Sequence, residues 1–209
     1  MRIGIDFDNT LAGYDRLFLR VAKEWRLLPE DFAGGKREIR DAVRRLADGE
    51  ATWTRLQAEV YGRRMSEAEL LDGASDFLRR CREGGIEAVV VSHKTRHAAA
   101  DPGGVDLHHA SLTWMAANGF FEADGLGLAP GRVFFEATRH AKCERIAALN
   151  CSHFIDDLEE VFREPAFPEG VERLLLAQGE APPPGPFTVY PNWQAIQDAI
   201  FAHGRVAEV

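Results

Sequence analysis

Residues 5–15 read IDFDNTLAGYD. Ile3, Gly4 and Ile5 lead into the stretch, and residues 2–7 are predicted to form a short buried strand. That strand ends in Asp6 and Asp8, followed by Asn9, Thr10 and Leu11. Two carboxylates one residue apart repel each other. Alternate residues of an extended chain share a face, so Asp6 and Asp8 can be turned to one site. A strand that ends this way needs something that makes the repulsion useful.

Beyond this stretch the pattern is helical for about sixty residues. DRLFLRVAKEWRLL spaces Phe18, Val21, Ala22 and Trp25 for one helix face, with Asp15 as its N-cap. KREIRDAVRRLADG does the same with Ile39, Ala42, Val43 and Leu46, and ATWTRLQAEVYG with Trp53, Leu56, Val60 and Tyr61. SEAEL reads as a further helix start, with a capping box from Ser66 to Glu69.

Helices and strands then alternate. GASDFLRRCREGG is a helix closed by Gly84 and Gly85, and IEAVVV at 86–91 is an apolar strand. A helix at 108–118, a strand at 133–135, a helix at 142–149 and a strand at 153–155 follow. A short helix LEEVF, a strand ERLLLA, a loop APPPGP at 181–186 and a helix NWQAIQDAIF capped by Asn192 close the chain. Strands that are apolar throughout and alternate with helices indicate a parallel sheet covered on both faces. This α/β core takes in 1–13 and 73–209, and the block at 14–72 reads as an inserted helical cap.

Composition narrows the functions. The 209 residues, 45% hydrophobic, suffice for one sizeable core. No apolar run is long enough to span a bilayer, and MRIGIDFD is acidic where a signal peptide is apolar, which points to the cytoplasm and no membrane. Cys81, Cys143 and Cys151 show no metal-site spacing and read as reduced thiols. The net charge of −8 argues against a long nucleic acid but leaves room for a small phosphorylated metabolite. Oligomeric state is not encoded in any of these features.

In open parallel sheets, function gathers at the carboxyl ends of the strands. Those ends offer Asp6 and Asp8, then Ser92, His93 and Lys94, then Asp156 and Asp157; Lys142 opens the helix before the last pair. Such a carboxylate cluster is costly without a cation. Oxygen ligands without His or Cys suit Mg2+. The adjacent His108 and His109 do not face each other on a helix and are not read as a metal pair. Gln57, Arg63 and Lys94 are polar groups able to touch a substrate, and Lys94 and Arg139 read equally as outer cations of the site or as solvated surface.

DFDNTL, VVVSHKT, Lys142 in RHAKCERI, and HFIDDLEEVF together resemble the four motifs of the haloacid dehalogenase (HAD) superfamily of phosphohydrolases. The likeness extends over 2–201, and His93-Lys94 departs from the small or amide residue usual in the second motif. The resemblance implies a Rossmann-like three-layer core with a helical cap at the first insertion point. It implies Asp6 as nucleophile, forming an aspartyl phosphate, and Asp8 as general acid and base. It implies Mg2+ held by the Asp6 carboxylate, the Asp8 carbonyl, Asp156 and Asp157, with Asp157 favoured as the direct ligand. Ser92, His93 and Lys142 are then the phosphate-binding residues. A phosphatase acting on a small phosphomonoester is the expected activity; a phosphomutase using the same intermediate, or an inactive regulatory protein of this fold, are the alternatives.

Overall fold

The computed structural model describes residues 1–101, 103–177 and 182–201. In chain order the strands are β1 (Arg2–Ile5), the two-residue β2 (Ala12–Gly13) and β3 (Glu69–Leu70), β4 (Glu87–His93), β5 (Val133–Glu136), β6 (His153–Asp156), β7 (Glu172–Leu176) and β8 (Thr188–Tyr190). The helices are α1 (Asp15–Glu24), α2 (Lys36–Arg44), α3 (Gly49–Ala58), α4 (Ala74–Glu83), α5 (Leu107–Ala117), α6 (Arg139–Ala148), α7 (Glu159–Phe162) and α8 (Trp193–Phe201).

Among the described residues, six strands form one parallel sheet in the order β5-β4-β1-β6-β7-β8. The chain leaves β1 toward β4 and leaves β6 toward β7. Neighbouring strands whose connections depart in opposite directions open a crevice at their carboxyl ends. β1 and β6 are such a pair, and Asp6 and Asp156 stand at those ends.

Register decides what each face of the sheet carries. Gly4 lies beside Val89 on one side and Phe154 on the other. Phe154 joins Val89, Val91 and Leu175 in a core with Cys143 and Ile146 of α6 and Val161 and Phe162 of α7. A Cβ at position 4 would lie 2.4 Å from the Phe154 ring, so glycine is what lets that ring lie across β1. Elsewhere in the same unit Phe77 of α4 and Trp193 of α8 are fully buried, with ring centroids 4.9 Å apart. Asn192 caps α8 as the sequence predicts, its Oδ1 accepting from Ala195 N at 2.9 Å.

The chain divides into two compact units. The α/β unit comprises Met1–Leu11, Leu70–His93 and Gly119–Val209; the helical unit comprises Ala12–Glu69 and Lys94–Asn118. The second stretch of the helical unit differs from the predicted boundary, which leaves α5 with the sheet. The Trp114 indole of α5 donates to the Ala68 carbonyl at 2.9 Å, and Asp101 pairs with Arg63 at 2.7 Å. Alternation of helix and strand does not tell which layer a helix joins.

Three local expectations are corrected. Asp15 does not cap α1; Tyr14 holds that position, and the Asp15 carboxylate instead accepts from Lys36 N at the start of α2, at 3.2 Å. No helix begins at Ser66: Met65–Glu67 is one 3-10 turn and Glu69 enters β3. Glu69, the acid of that capping box, pairs with Arg16 at 3.2 Å, and Glu67 pairs with Arg20 at 2.6 Å and with Arg64. β8 was not anticipated, because Thr188-Val189-Tyr190 is too short to show a period; Ala181 of the preceding loop lies outside the described residues.

All three cysteines are free and buried, and burial pushes their thiols up to about 12 for Cys81 and about 11 for Cys143 and Cys151. Among the described residues no helix is long and apolar enough to cross a membrane.

The packing at Gly4 sets a test with a diagnostic sign. Alanine normally stabilises a regular element relative to glycine. Here Gly4→Ala is expected to cost about 1–3 kcal/mol through overpacking against Phe154, read from the midpoint of urea unfolding.

Candidate functional site

The site grows from the period of two along β1 and β6. Asp6 continues the face of Gly4, and Asp156 continues the face of Phe154. That face is covered by α6, whose buried side is Lys142, Cys143 and Ile146. Helix α6 starts at Arg139, one turn earlier than predicted, and the Thr138 hydroxyl caps it by accepting from Ala141 N at 3.1 Å. This start leaves Lys142 facing the sheet. Its ammonium donates to Asp6 Oδ1 at 2.5 Å and to Asp156 Oδ2 at 2.6 Å, and lies 5.2 Å from the centre of the Phe154 ring. Lys142 is 1% exposed and Asp156 fully buried, so both charges depend on this pairing.

Asp156 uses its other oxygen to accept from Leu158 N at 2.9 Å, which sets the turn into α7. Asp157 turns toward Thr10, whose hydroxyl lies 3.4 Å from Asp157 Oδ1. Asp6, Asp156 and Asp157 each offer one carboxylate oxygen within 4.8 Å of the others. Octahedral Mg2+ with ligands at about 2.1 Å separates opposite ligand oxygens by about 4 Å. Three hard oxygens at this spacing fit such an ion after a small inward closure. The Asp8 carboxylate is outside this group.

Electrostatics favours a cation. Burial raises the Asp6 carboxyl to about 7; Asp156 and Asp8 push the same way, while Lys142 holds it down. Lys142 is itself raised above its ordinary range, because attraction to Asp156 and Asp6 outweighs a large burial effect. The ammonium therefore stays charged, and Asp6 carries the strain of a site with more carboxylates than cations. A bound divalent ion acts in the same sense as Lys142 and favours the ionised Asp6.

The remaining predicted residues fall into two groups. Ser92 and His93 end β4, the neighbour of β1. Ser92 is 1% exposed and its hydroxyl has no hydrogen-bond partner among the described residues, which marks it as a donor awaiting an acceptor. His93 Nε2 lies 3.2 Å from the Ala137 carbonyl; burial and the field of Lys142 hold its imidazole below the ordinary range. Gln57, Arg63 and Lys94 belong to the helical unit. Gln57 is half-buried, Arg63 pairs with Asp101 and with Glu59 at 3.3 Å, and Lys94 is buried. His108 is engaged with the Lys94 carbonyl at 2.8 Å.

Two contributors were missed. The Trp193 indole donates to the Thr10 carbonyl at 2.9 Å, tying α8 to the turn after Asp8. Asn9 in that turn takes the left-handed conformation, φ +58°, which asparagine tolerates better than most residues. Thr10 stands in the DFDNTL stretch and could have been singled out as a fully buried hydroxyl in a polar run. Trp193 carries no such signal, since a tryptophan opening an amphipathic helix reads as core.

No protein-family model matches the chain, and no curated protein matches it. Solved structures do. A haloacid dehalogenase-like family hydrolase from Xanthomonas campestris is 12% identical, with 97% of this chain and 95% of that chain covered and a TM-score of 0.56. A HAD family hydrolase from Deinococcus radiodurans R1, with bound phosphate and sodium, is 16% identical over 97% and 96%, with a TM-score of 0.56. A phosphoserine phosphohydrolase-like protein from Francisella tularensis is 13% identical over 95% and 99%, with a TM-score of 0.53. At these identities the likeness is one of fold: the chain has the α/β fold of HAD-superfamily hydrolases, along nearly its whole length.

The cluster sets a metal test that needs no substrate. Mg2+ at one hundred times its Kd is expected to raise the melting temperature by about 5–10 °C. Below about 7 the raised Asp6 holds a proton that the ion must displace, and above it none. At one fixed Mg2+ concentration the shift should therefore grow between pH 5.5 and pH 8, as scanning calorimetry reads directly. Asp157→Asn should reduce it at both values.

Proposed function

We propose that the chain is a Mg2+-dependent phosphatase that hydrolyses a small phosphomonoester through an aspartyl phosphate on Asp6. The observation that carries this reading is the fully enclosed ammonium of Lys142, bonded at once to Asp6 and Asp156. A carboxylate that attacks a phosphoryl group is an anion approaching an anion. A fixed cation beside both lowers that repulsion without having to reorganise, which is most of what phosphoryl transfer asks of a protein. The unpartnered Ser92 hydroxyl supports the same reading, as a donor for a phosphoryl oxygen. Supporting it at the level of fold, the Deinococcus neighbour contains bound phosphate and the Francisella neighbour is phosphoserine phosphohydrolase-like.

In this account an Asp6 oxygen bonds to phosphorus as the bond from phosphorus to the leaving oxygen breaks. Asp8 gives its proton to that oxygen, and the alcohol departs. Asp8, now a carboxylate, takes a proton from water, the water oxygen bonds to phosphorus, and Asp6 is released as its carboxylate. Ser92, His93 and Lys142 hold the phosphoryl oxygens throughout. Asp6, Asp156, Asp157 and the Asp8 carbonyl would hold Mg2+, which when bound would supply positive charge against the transferring phosphoryl group. The Trp193 indole and the Thr10 hydroxyl fix the turn on which Asp8 sits.

The two aspartates are separable by experiment. Asp6→Asn removes the nucleophile and is expected to release no alcohol from any phosphomonoester. Asp8→Asn keeps the nucleophile and loses only the proton carrier. With an aryl phosphate, whose phenol leaves unprotonated, it should give a burst of one phenol per site and then slow by about 10²-fold or more. With an alkyl phosphate it should give no burst. Steady turnover of aryl phosphate at the wild-type rate would remove Asp8 from the mechanism; a burst from Asp6→Asn would move the nucleophile elsewhere.

A further inference from the structure

Two polar groups are buried on one face of α8. Trp193 is fully buried and Gln197 is 3% exposed, and residues four apart on a helix lie one above the other. A helix that only covers a core is better served there by leucine or methionine, because a buried amide is costly unless it finds partners. Both groups are bonded, and both donate to main chain. The Trp193 indole donates to the Thr10 carbonyl at 2.9 Å, and Gln197 Nε2 donates to the Gly73 carbonyl at 3.3 Å. Arg80 donates to Gln197 Oε1 at 3.3 Å, which leaves the NH2 end of the amide for the carbonyl.

The two carbonyls are far apart in sequence but mark one place in the fold. The chain leaves the α/β unit after Leu11 and returns to it at Leu70. Thr10 stands just before the departure and Gly73 just after the return. Leu71 N donates to the Leu11 carbonyl at 2.9 Å, which joins the outgoing and returning segments directly. Gly73 lets α8 approach: its φ is +85°, and a Cβ there would stand 2.9 Å from Trp193 Cβ. Helix α8 therefore holds both segments at once, with one donor on each.

The outgoing segment is the turn that carries Asp8. Leu11 N closes it by donating to the Phe7 carbonyl at 3.0 Å, and Asn9 within it holds φ +58°. A residue other than glycine persists in the left-handed region where its surroundings over-determine it. The indole on the Thr10 carbonyl supplies such a constraint, two residues from Asp8. Proton transfer depends steeply on the placement of donor and acceptor. We propose that Trp193 and Gln197 are positioning residues that form one clasp, which holds the two segments together and thereby aims Asp8 at the leaving oxygen. Attack by Asp6 beside Lys142 does not depend on the clasp. The role of Asp8 rests on the phosphatase reading, but the clasp itself can be measured without turnover.

Trp193→Phe keeps an aromatic ring against Phe77 and removes the indole donor; Gln197→Met keeps the volume and removes the amide. Phe77→Leu is the comparison, since it thins the packing on Trp193, whose ring centroid is 4.9 Å away, and touches neither bond. In amide hydrogen exchange, Leu11 and Leu71 are expected to exchange at least about tenfold faster in the first two proteins, measured against Val90 of the same protein, and not in Phe77→Leu. First-turnover rates, with enzyme in excess and Mg2+ present, give the second arm. Para-nitrophenyl phosphate loses its phenolate without a proton, and propyl phosphate needs one. Trp193→Phe should lower the ratio of the propyl to the nitrophenyl rate by about tenfold or more, and Gln197→Met by about threefold or more. A loss of stability alone lowers both rates together, so Phe77→Leu should leave the ratio standing. Exchange at Leu11 and Leu71 that does not rise against Val90, a ratio that does not fall, or the same fall in Phe77→Leu would overturn the clasp as a positioning device. If Trp193→Phe does not fold, Gln197→Met carries both arms. Selective exchange with no alcohol released from either ester by the wild type would retain the clasp and sink the phosphatase reading.

Discussion

The ammonium of Lys142 holds the α/β unit's site together. It lies between two buried carboxylates, at 2.5 Å from Asp6 and 2.6 Å from Asp156, and removing it would strand both charges in the core. Breaking a buried pair in this way costs about 3–5 kcal/mol, a large part of the stability of an ordinary domain. Much of the local design follows from keeping it in place. Strand parity turns Asp6 and Asp156 to one face, and the Thr138 cap starts α6 where Lys142 meets them. Gly4 makes room for Phe154, whose ring lies beneath the ammonium.

One ammonium does not balance the carboxylates around it, and this imbalance joins stability to function. A raised Asp6 is unfavourable for the fold on its own, yet it leaves the site open to a further positive charge. The unpartnered Ser92 hydroxyl is unfavourable in the same sense and open to an acceptor. On the proposed reading, an ion and a phosphoryl group are complementary to these two features, so the groups that cost the fold stability are the ones that would select the ligands.

Much of this was legible in the sequence, for a physical reason. Asp6, Asp156 and Lys142 lie at ends of regular elements, and element ends follow from apolar runs that pattern alone reveals. The sheet of parallel strands was legible for the same reason. What escaped depended on partners far along the chain. Asp15 looks like a cap for its own helix and serves α2; Glu69 looks like a capping-box acid and pairs with Arg16. Helix α5 has the right length and spacing for the core, but Trp114 bonds to Ala68 in the helical unit. Trp193 reads as an ordinary core residue, and only its hydrogen bond to Thr10 ties it to the site.

The central claim is that Asp6 becomes covalently phosphorylated, and borohydride trapping tests it most directly. The Asp8→Asn protein is mixed with an aryl phosphate and Mg2+, quenched in acid after the first turnover, reduced with borohydride and digested for peptide mass mapping. Borohydride converts an aspartyl phosphate to homoserine and leaves a free carboxylate untouched. Homoserine at position 6, in proportion to the phenol released, is the result expected. Homoserine at another aspartate, or phenol release with no homoserine at all, would contradict the account.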